Sequence, residues 1–386
     1  MPPQSNKENL PPAGGLRSSG LKRPRDEVYG LGVGPARKQN RPDPLTHHGR
    51  HFGRTVQTFC RVQLLIKTGL EQTIQMELGR MTLEDLSASE KADYNMYQQL
   101  LRMVPGLEER LCTSSNHDLF YVADTLSKGI ASSRSDDTKS LKSVVVDWIT
   151  PLNGVLVPPI SRNVKTDRGY HHPRTGELLC PVNLDWNDPK IRRDLSSGQL
   201  VPSGDLWPRF IFRGYEYVPS EPWNGLLRSS LLVSAYKHVF TSPSSVGAQN
   251  CGASRATRSS NARIHGMQSV TIASIAYIAT QVRFALSSTP VFSRSDNVTD
   301  SEFFYNLVIE LLEDPEETVE VQDLLLWWNK QIFPTYLADY RPVHQDSVIA
   351  RIKERRRMLL QQAGKEVVAA EQDSDGSSTS NPENDS

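Results

Sequence analysis

The stretch HGMQSVTIASIAYIATQVRFALSS (His265–Ser288), carried on by SEFFYNLVIELLE (Ser301–Glu313) and DLLLWW (Asp323–Trp328), decides the fold. Ile272, Ile275, Ala276, Ala279 and Val282 recur at helical spacing. Phe303, Phe304, Leu307, Val308, Leu311 and Leu312 do the same, followed by Leu324, Leu325, Trp327 and Trp328. Apolar positions at i, i+3, i+4 and i+7 predict helices that each hide one stripe against a neighbour. Adjacent helical positions diverge by about 100°, so one of Trp327 and Trp328 is expected in the core and the other at its rim. The fold class is therefore all-α, and nothing on this run announces chemistry.

Working outward, helices are expected over Ala88–Met103, ending before Pro105, then Leu107–Cys112, His117–Ile130 and Lys139–Ile149. A first stripe of Val56, Phe59, Cys60, Leu64 and Leu65 sets the start of folding near Thr55. Between 150 and 224 ten prolines break the chain and aromatics replace aliphatics, among them Trp186, Trp207, Phe210, Phe212, Tyr215, Tyr217 and Trp223. Long helices are excluded there, and the aromatics are expected to pin irregular backbone to the core. A turn at Arg174-Thr175-Gly176 allows a small β-hairpin over 170–180. Helix resumes over Gly225–Phe240.

The resulting organisation is a disordered basic arm (1–54), a helical domain (55–345), a charged helix (346–370, Asp346 as N-cap) and a disordered acidic tail (371–386). The arm holds ten Lys/Arg against four acids, too polar to bury enough surface to order itself. The tail after Ala370 has no base. A net charge of zero hides this asymmetry, and such arms read as solvated interaction segments. Cys60, Cys112, Cys180 and Cys251 form no CxxC pair and read as reduced, buried thiols of an intracellular protein. No apolar run approaches the roughly 20 residues that cross a bilayer, so no membrane partner is expected. The N-terminal residues lack the apolar core of a secretion signal.

Four strings, RGYHHPRTGELLCPVNLDWNDPKIRRDL (168–195), LLVSAYKHVFTSPSS (231–245), His265–Ser288 and DLLLWWNKQIFP (323–334), lie in an order that resembles an uncharacterised, multi-copy protein family of basidiomycete fungi. The resemblance covers about residues 85–355. It implies a domain of unknown function and brings no activity, cofactor or catalytic residue.

Several groupings invite a chemical reading. Lys22-Arg23-Pro24-Arg25 and, after a spacer, Arg37-Lys38 and Arg41 have the form of a bipartite nuclear import signal, whose partner is importin. Arg351, Lys353, Arg355, Arg356 and Arg357 crowd the terminal helix and can contact nucleic acid or a protein partner. His47 and His51 have i, i+4 spacing, but Pro42, Pro44, Gly49 and Gly53 argue against a stable helix there, and no third metal ligand is evident. The best enzyme candidate is the loop 168–194, which gathers His171, His172, Glu177, Cys180, Asp185, Asp188 and Asp194. A Cys nucleophile needs a histidine in reach and a lowered pKa, whereas Leu179 and Pro181 give Cys180 an apolar setting. Asn187 or Asp188 followed by Pro189 reads as a helix cap, and Glu313–Glu317 as a solvated join between helices. No nucleotide-binding, zinc-protease or hydrolase motif is present, and no metal or cofactor is expected. The reading is a non-enzymatic nuclear interaction protein contacting protein or nucleic acid, with an orphan enzyme built on the 168–194 loop as the alternative.

Overall fold

The structure, a computed structural model, describes residues 43–242, 246, 260–293 and 300–333, with residues 348, 351, 352, 354–356 and 358 beyond them. In chain order the helices are α1 (Pro44–Thr55), α2 (Val62–Glu77), α3 (Ala88–Met103), α4 (Leu107–Thr113), α5 (Asn116–Ile149) and α6 (Pro173–Leu179). They continue as α7 (Pro189–Ser197), α8 (Ser230–Tyr236), α9 (Asn261–Ile264), α10 (Ile272–Leu286), α11 (Ser301–Glu313) and α12 (Thr318–Ile332). No strand occurs among the described residues, only an isolated bridge between Pro181 and Pro208. The all-α class read from the sequence holds.

α10 is the axis. Thr271 and Ser274 form its capping box, and every residue from Ala273 to Leu286 is buried. A helix apolar on all sides belongs inside a core, so the single stripe expected from the sequence understates it. Against α10 pack the C-terminal half of α5, α8 and α11, and α12 joins through α8 and α11, with Phe304, Val308, Leu312, Leu324 and Trp328 buried among them. Trp328 is fully buried and donates its indole N–H to the Leu227 carbonyl at 3.1 Å, while Trp327 stays half-buried at the rim. At the other end of α10, buried Arg168 donates to the Ala285 and Ser161 carbonyls (2.9 and 2.8 Å), and Lys165 donates to the Phe284 and Thr289 carbonyls. Two cations thus close the last turn, where orphan carbonyls and the negative end of the helix dipole favour them.

A second core joins α1 to α4 with the N-terminal half of α5, around Phe52, Ile66, Tyr97, Leu100 and Leu126. α3 matches its predicted span, starts at a Ser87–Glu90 capping box and stops at Val104. α5 runs unbroken for 34 residues, about 50 Å, and serves both cores. The sequence predicted two helices separated by the polar run 131–138. In that run the Ser133 hydroxyl is satisfied on the Ile130 carbonyl (2.8 Å), and burial of Asp137 against Arg54 holds the helix to α1.

Other expectations are corrected. A helix precedes Thr55, where folding was expected to start: Asp43 accepts the Leu45 N–H at 2.9 Å, Pro44 occupies the first turn, and α1 packs along α5. Gly49 and Gly129 allow it, since a Cβ there would lie 2.3 Å from the Leu126 oxygen and 2.4 Å from the Thr46 oxygen. Two of the residues read as helix breakers, Gly49 and Gly53, are the contact surface toward Leu126 and Ile130. Residues 56–61 are a turn, and Leu64 is 57 % exposed. Phe120 and Phe303 point outward, and Cys112 is exposed. Segment 170–180 is the helix α6 after a 3-10 turn, not a hairpin, and Gly225–Arg228 is a turn ahead of the Ser229 cap of α8. Cys251 and the proposed cap Asp346 lie outside the described residues.

Candidate interaction site

The loop 168–194 is built as support. His172 caps α6: its Nδ1 accepts the Arg174 N–H (3.0 Å), so Nε2 carries the proton and donates to the Pro158 carbonyl (2.7 Å). Neither nitrogen is left for a thiol, and His171 is exposed. Cys180 is fully buried, its Sγ 3.6 and 3.7 Å from the Pro181 and Leu184 carbonyls, and burial pushes the thiol up to about 11. Asp188 accepts the Lys190 N–H (2.8 Å) with Pro189 in the first turn, as the sequence indicated, and Asp185 accepts the Asn187 N–H (2.9 Å). Among the described residues no group of three or more His, Cys, Asp or Glu could hold a metal ion.

His47, His48 and His51 do lie on a helix, contrary to the sequence reading. His51 stacks on His265, ring centroids 4.1 Å apart and planes 5° off parallel. Burial lowers both, to about 3 for His51 and about 4 for His265, with neighbouring histidines and Arg54 adding to the shift. One turn on, Arg54 donates twice to Asp137 (both 2.8 Å), and Tyr277 from α10 donates to the same carboxylate at 2.6 Å. Burial alone would lower the Arg54 guanidinium, but Asp137 outweighs it and raises it. This network ties α1, α5 and α10 together.

Of the terminal cations, Arg351, Arg355 and Arg356 are helical and exposed, whereas Lys353 and Arg357 lie outside the described residues. Lys22, Arg23, Arg25, Arg37, Lys38 and Arg41 also lie outside, as do Arg255 and Arg258.

What the sequence reading missed is a pocket on the irregular segment. Pairing of the Val182 N–H with the Trp207 carbonyl (3.0 Å) and of the Arg209 N–H with the Cys180 carbonyl (3.1 Å) fixes the strand-like approach of Trp207. Phe212 meets Tyr217 edge to face at 5.2 Å. The Arg213 N–H bonds the Gly225 carbonyl (2.8 Å), closing the loop that carries Trp223. Trp207, Phe212, Tyr217 and Trp223 line one open pocket of about 530 Å³ with Asp205 and Glu317. Glu317 sits at the join of α11 and α12, where Asp314 accepts the Glu316 N–H (2.8 Å), and it accepts the Trp223 indole N–H at 2.7 Å. Trp223 also borders a neighbouring cleft holding Glu221, Glu320, Asp323 and Arg228. Arg228 is engaged by Asp323 at 2.7 Å. Five carboxylates thus face one neutralised cation across the two hollows. The signal lay in the sequence: residues 310–323 carry seven acids and no base, next in space to the aromatic-rich 207–223. Only the fold brings the two together.

Residues 128–333 match a family of unknown function, DUF6698. No curated protein matches the chain, and no solved structure does. The matched region takes in the pocket, the α10 axis and the greater part of α5, and the chain belongs to the DUF6698 family of unknown function.

Proposed function

We propose that this chain is a non-enzymatic nuclear interaction protein, and that the acid-rimmed aromatic pocket receives a basic segment of a protein partner. The observation that carries the reading is the convergence of Trp207, Tyr217 and Trp223 with Asp205 and Glu317 in one open hollow. Aromatic faces attract cations, and the surrounding carboxylates favour the same sign of charge. The Cys180 thiol and His172 of the 168–194 loop are committed to packing and capping, and His171 is exposed, which leaves that loop without an activated nucleophile.

Nuclear entry is proposed on Lys22-Arg23-Pro24-Arg25 and Arg37-Lys38 as ligands of importin. A second contact, to nucleic acid, is supported by exposed Arg351, Arg355 and Arg356 on one helical stretch. The resemblance of the four quoted strings supports a basidiomycete fungal origin.

Fluorescence anisotropy of a labelled peptide rich in Lys and Arg tests the pocket. Binding is expected to weaken with salt and to drop at least several-fold in Asp205→Asn/Glu317→Gln. Equal binding of wild type and variant would remove the pocket from the interaction.

A further inference from the structure

We propose that the ligand of this pocket is a quaternary ammonium group, carried as a trimethylated lysine on the basic segment of the partner. The inference rests on the reading of the pocket as a receiver of such a segment, and adds the chemical state of the side chain.

The walls choose between cations. Trp207, Tyr217 and Trp223 are half-buried and supply ring surface, while buried Phe212 backs the Tyr217 ring at 65° between planes. Acceptors are few inside. They are the Asn183 amide and two carboxylates, of which Glu317 already takes the Trp223 indole hydrogen and exposed Asp205 takes the Ser203 hydroxyl. An unmodified lysine brings three N–H donors and a guanidinium five, and each donor taken from water without a partner is penalised. A trimethylammonium group has no donor to satisfy and keeps its full charge. It sheds water more easily than a primary ammonium and presents methyl groups polarised by that charge to the ring faces. Asp205, Glu317 and, across Trp223, Glu221 and Glu320 supply charge balance without requiring direct hydrogen bonds. The pocket is open and wider than the head group, so the alkyl stem can enter from a peptide lying over the acidic rim.

Two cations on adjoining segments do not fill this role. Arg213 and Arg228 both lie over the Trp327 ring, at 5.8 and 5.9 Å, and Trp327 is not among the pocket residues. They show that this face of the molecule already uses aromatic–cation contact as a packing device.

The test uses the full chain and one short peptide, a central lysine flanked by arginines, in four forms. These are unmodified, trimethylated, trimethylated without the flanking arginines, and with the charged nitrogen replaced by carbon to give a neutral tert-butyl analogue. Calorimetric titration is expected to give binding of the trimethylated form at least five-fold tighter than both the unmodified and the neutral forms. Tyr217→Ala, at the half-buried rim, should remove that preference while leaving the helical circular dichroism unchanged. Equal affinity for trimethylated and unmodified peptides overturns this inference and leaves the reading of a basic-segment receiver standing. Equal affinity for the trimethylated and neutral forms overturns it as well, reducing the pocket to an apolar hole. Binding of none of the forms overturns both. Vesicles of phosphatidylcholine form the last arm, and binding to them with no response to peptide would assign the quaternary ammonium to a lipid head group and overturn the peptide source.

Discussion

His51 and His265 lie ring on ring, 4.1 Å apart and 5° from parallel, with both imidazoles held neutral by burial. The unfolded chain binds protons on these rings below about 6.5, while the folded chain does not until about 3 to 4. Stability is therefore fully present above pH 6.5 and is lost as pH falls from there toward 4. Thermal melts at pH 7, 6, 5 and 4.5 should show a falling Tm. His51→Phe/His265→Phe keeps an aromatic pair and should flatten that slope. An identical slope in the double variant would place the sensitivity elsewhere.

Arg54→Met leaves Asp137 buried with only the Tyr277 hydroxyl for company. A loss of about 3–5 kcal/mol is expected by denaturant titration, the usual result of breaking one half of a buried pair. Arg54→Met/Asp137→Leu should recover part of it, because no uncompensated charge remains. If the double variant is as unstable as the sum of both singles, the pair is not coupled.

Gly129→Val should destabilise by about 1–3 kcal/mol or more, because its side chain would enter the backbone of α1 at Thr46. Gly154→Ala, whose Cβ meets Pro151 at an ordinary 3.4 Å, serves as the matched control with little effect.

Thiol labelling separates the cysteines. Cys112 is exposed and should react quickly with a thiol reagent at neutral pH, whereas Cys180, buried and pushed up to about 11, should react only on unfolding. Fast labelling of Cys180 in the native protein would return the 168–194 loop to contention as a reactive site.

Replacing Lys22, Arg23, Arg37 and Lys38 with Ala in a fluorescent fusion should move it from nucleus to cytoplasm. An unchanged nuclear signal would rule out this element as the import address.

Much of the fold was legible because its helices carry strong local marks. α3 could be bounded at both ends, since Ser87 and Glu90 cap it and Pro105 follows it. α1 was illegible for a definite reason. Gly49 and Gly53 lower helix propensity in isolation, but backbone approach to α5 compensates, and that partner is about eighty residues away in sequence. The same holds for the polar run in α5, where Asp137 makes sense only once Arg54 and Tyr277 are opposite it. The pocket was less legible still. Its aromatics were visible as a group and its acids as another, but Glu317 reaches Trp223 from 94 positions away, from the join of α11 and α12.

The region that matches the family begins at residue 128, inside α5, roughly a third of the way along that rod. Inherited boundary and mechanical boundary do not coincide here. A polypeptide cut at 128 would begin in mid-helix, and its Asp137 would lose the Arg54 guanidinium on which it closes. It would also leave the faces of Leu141 and Val145 hanging from a shortened lever, with the counterweight of the α1–α4 core removed. In this chain the brace is α1, which grips the same helix from the outside and presents Arg54 at the depth of Asp137.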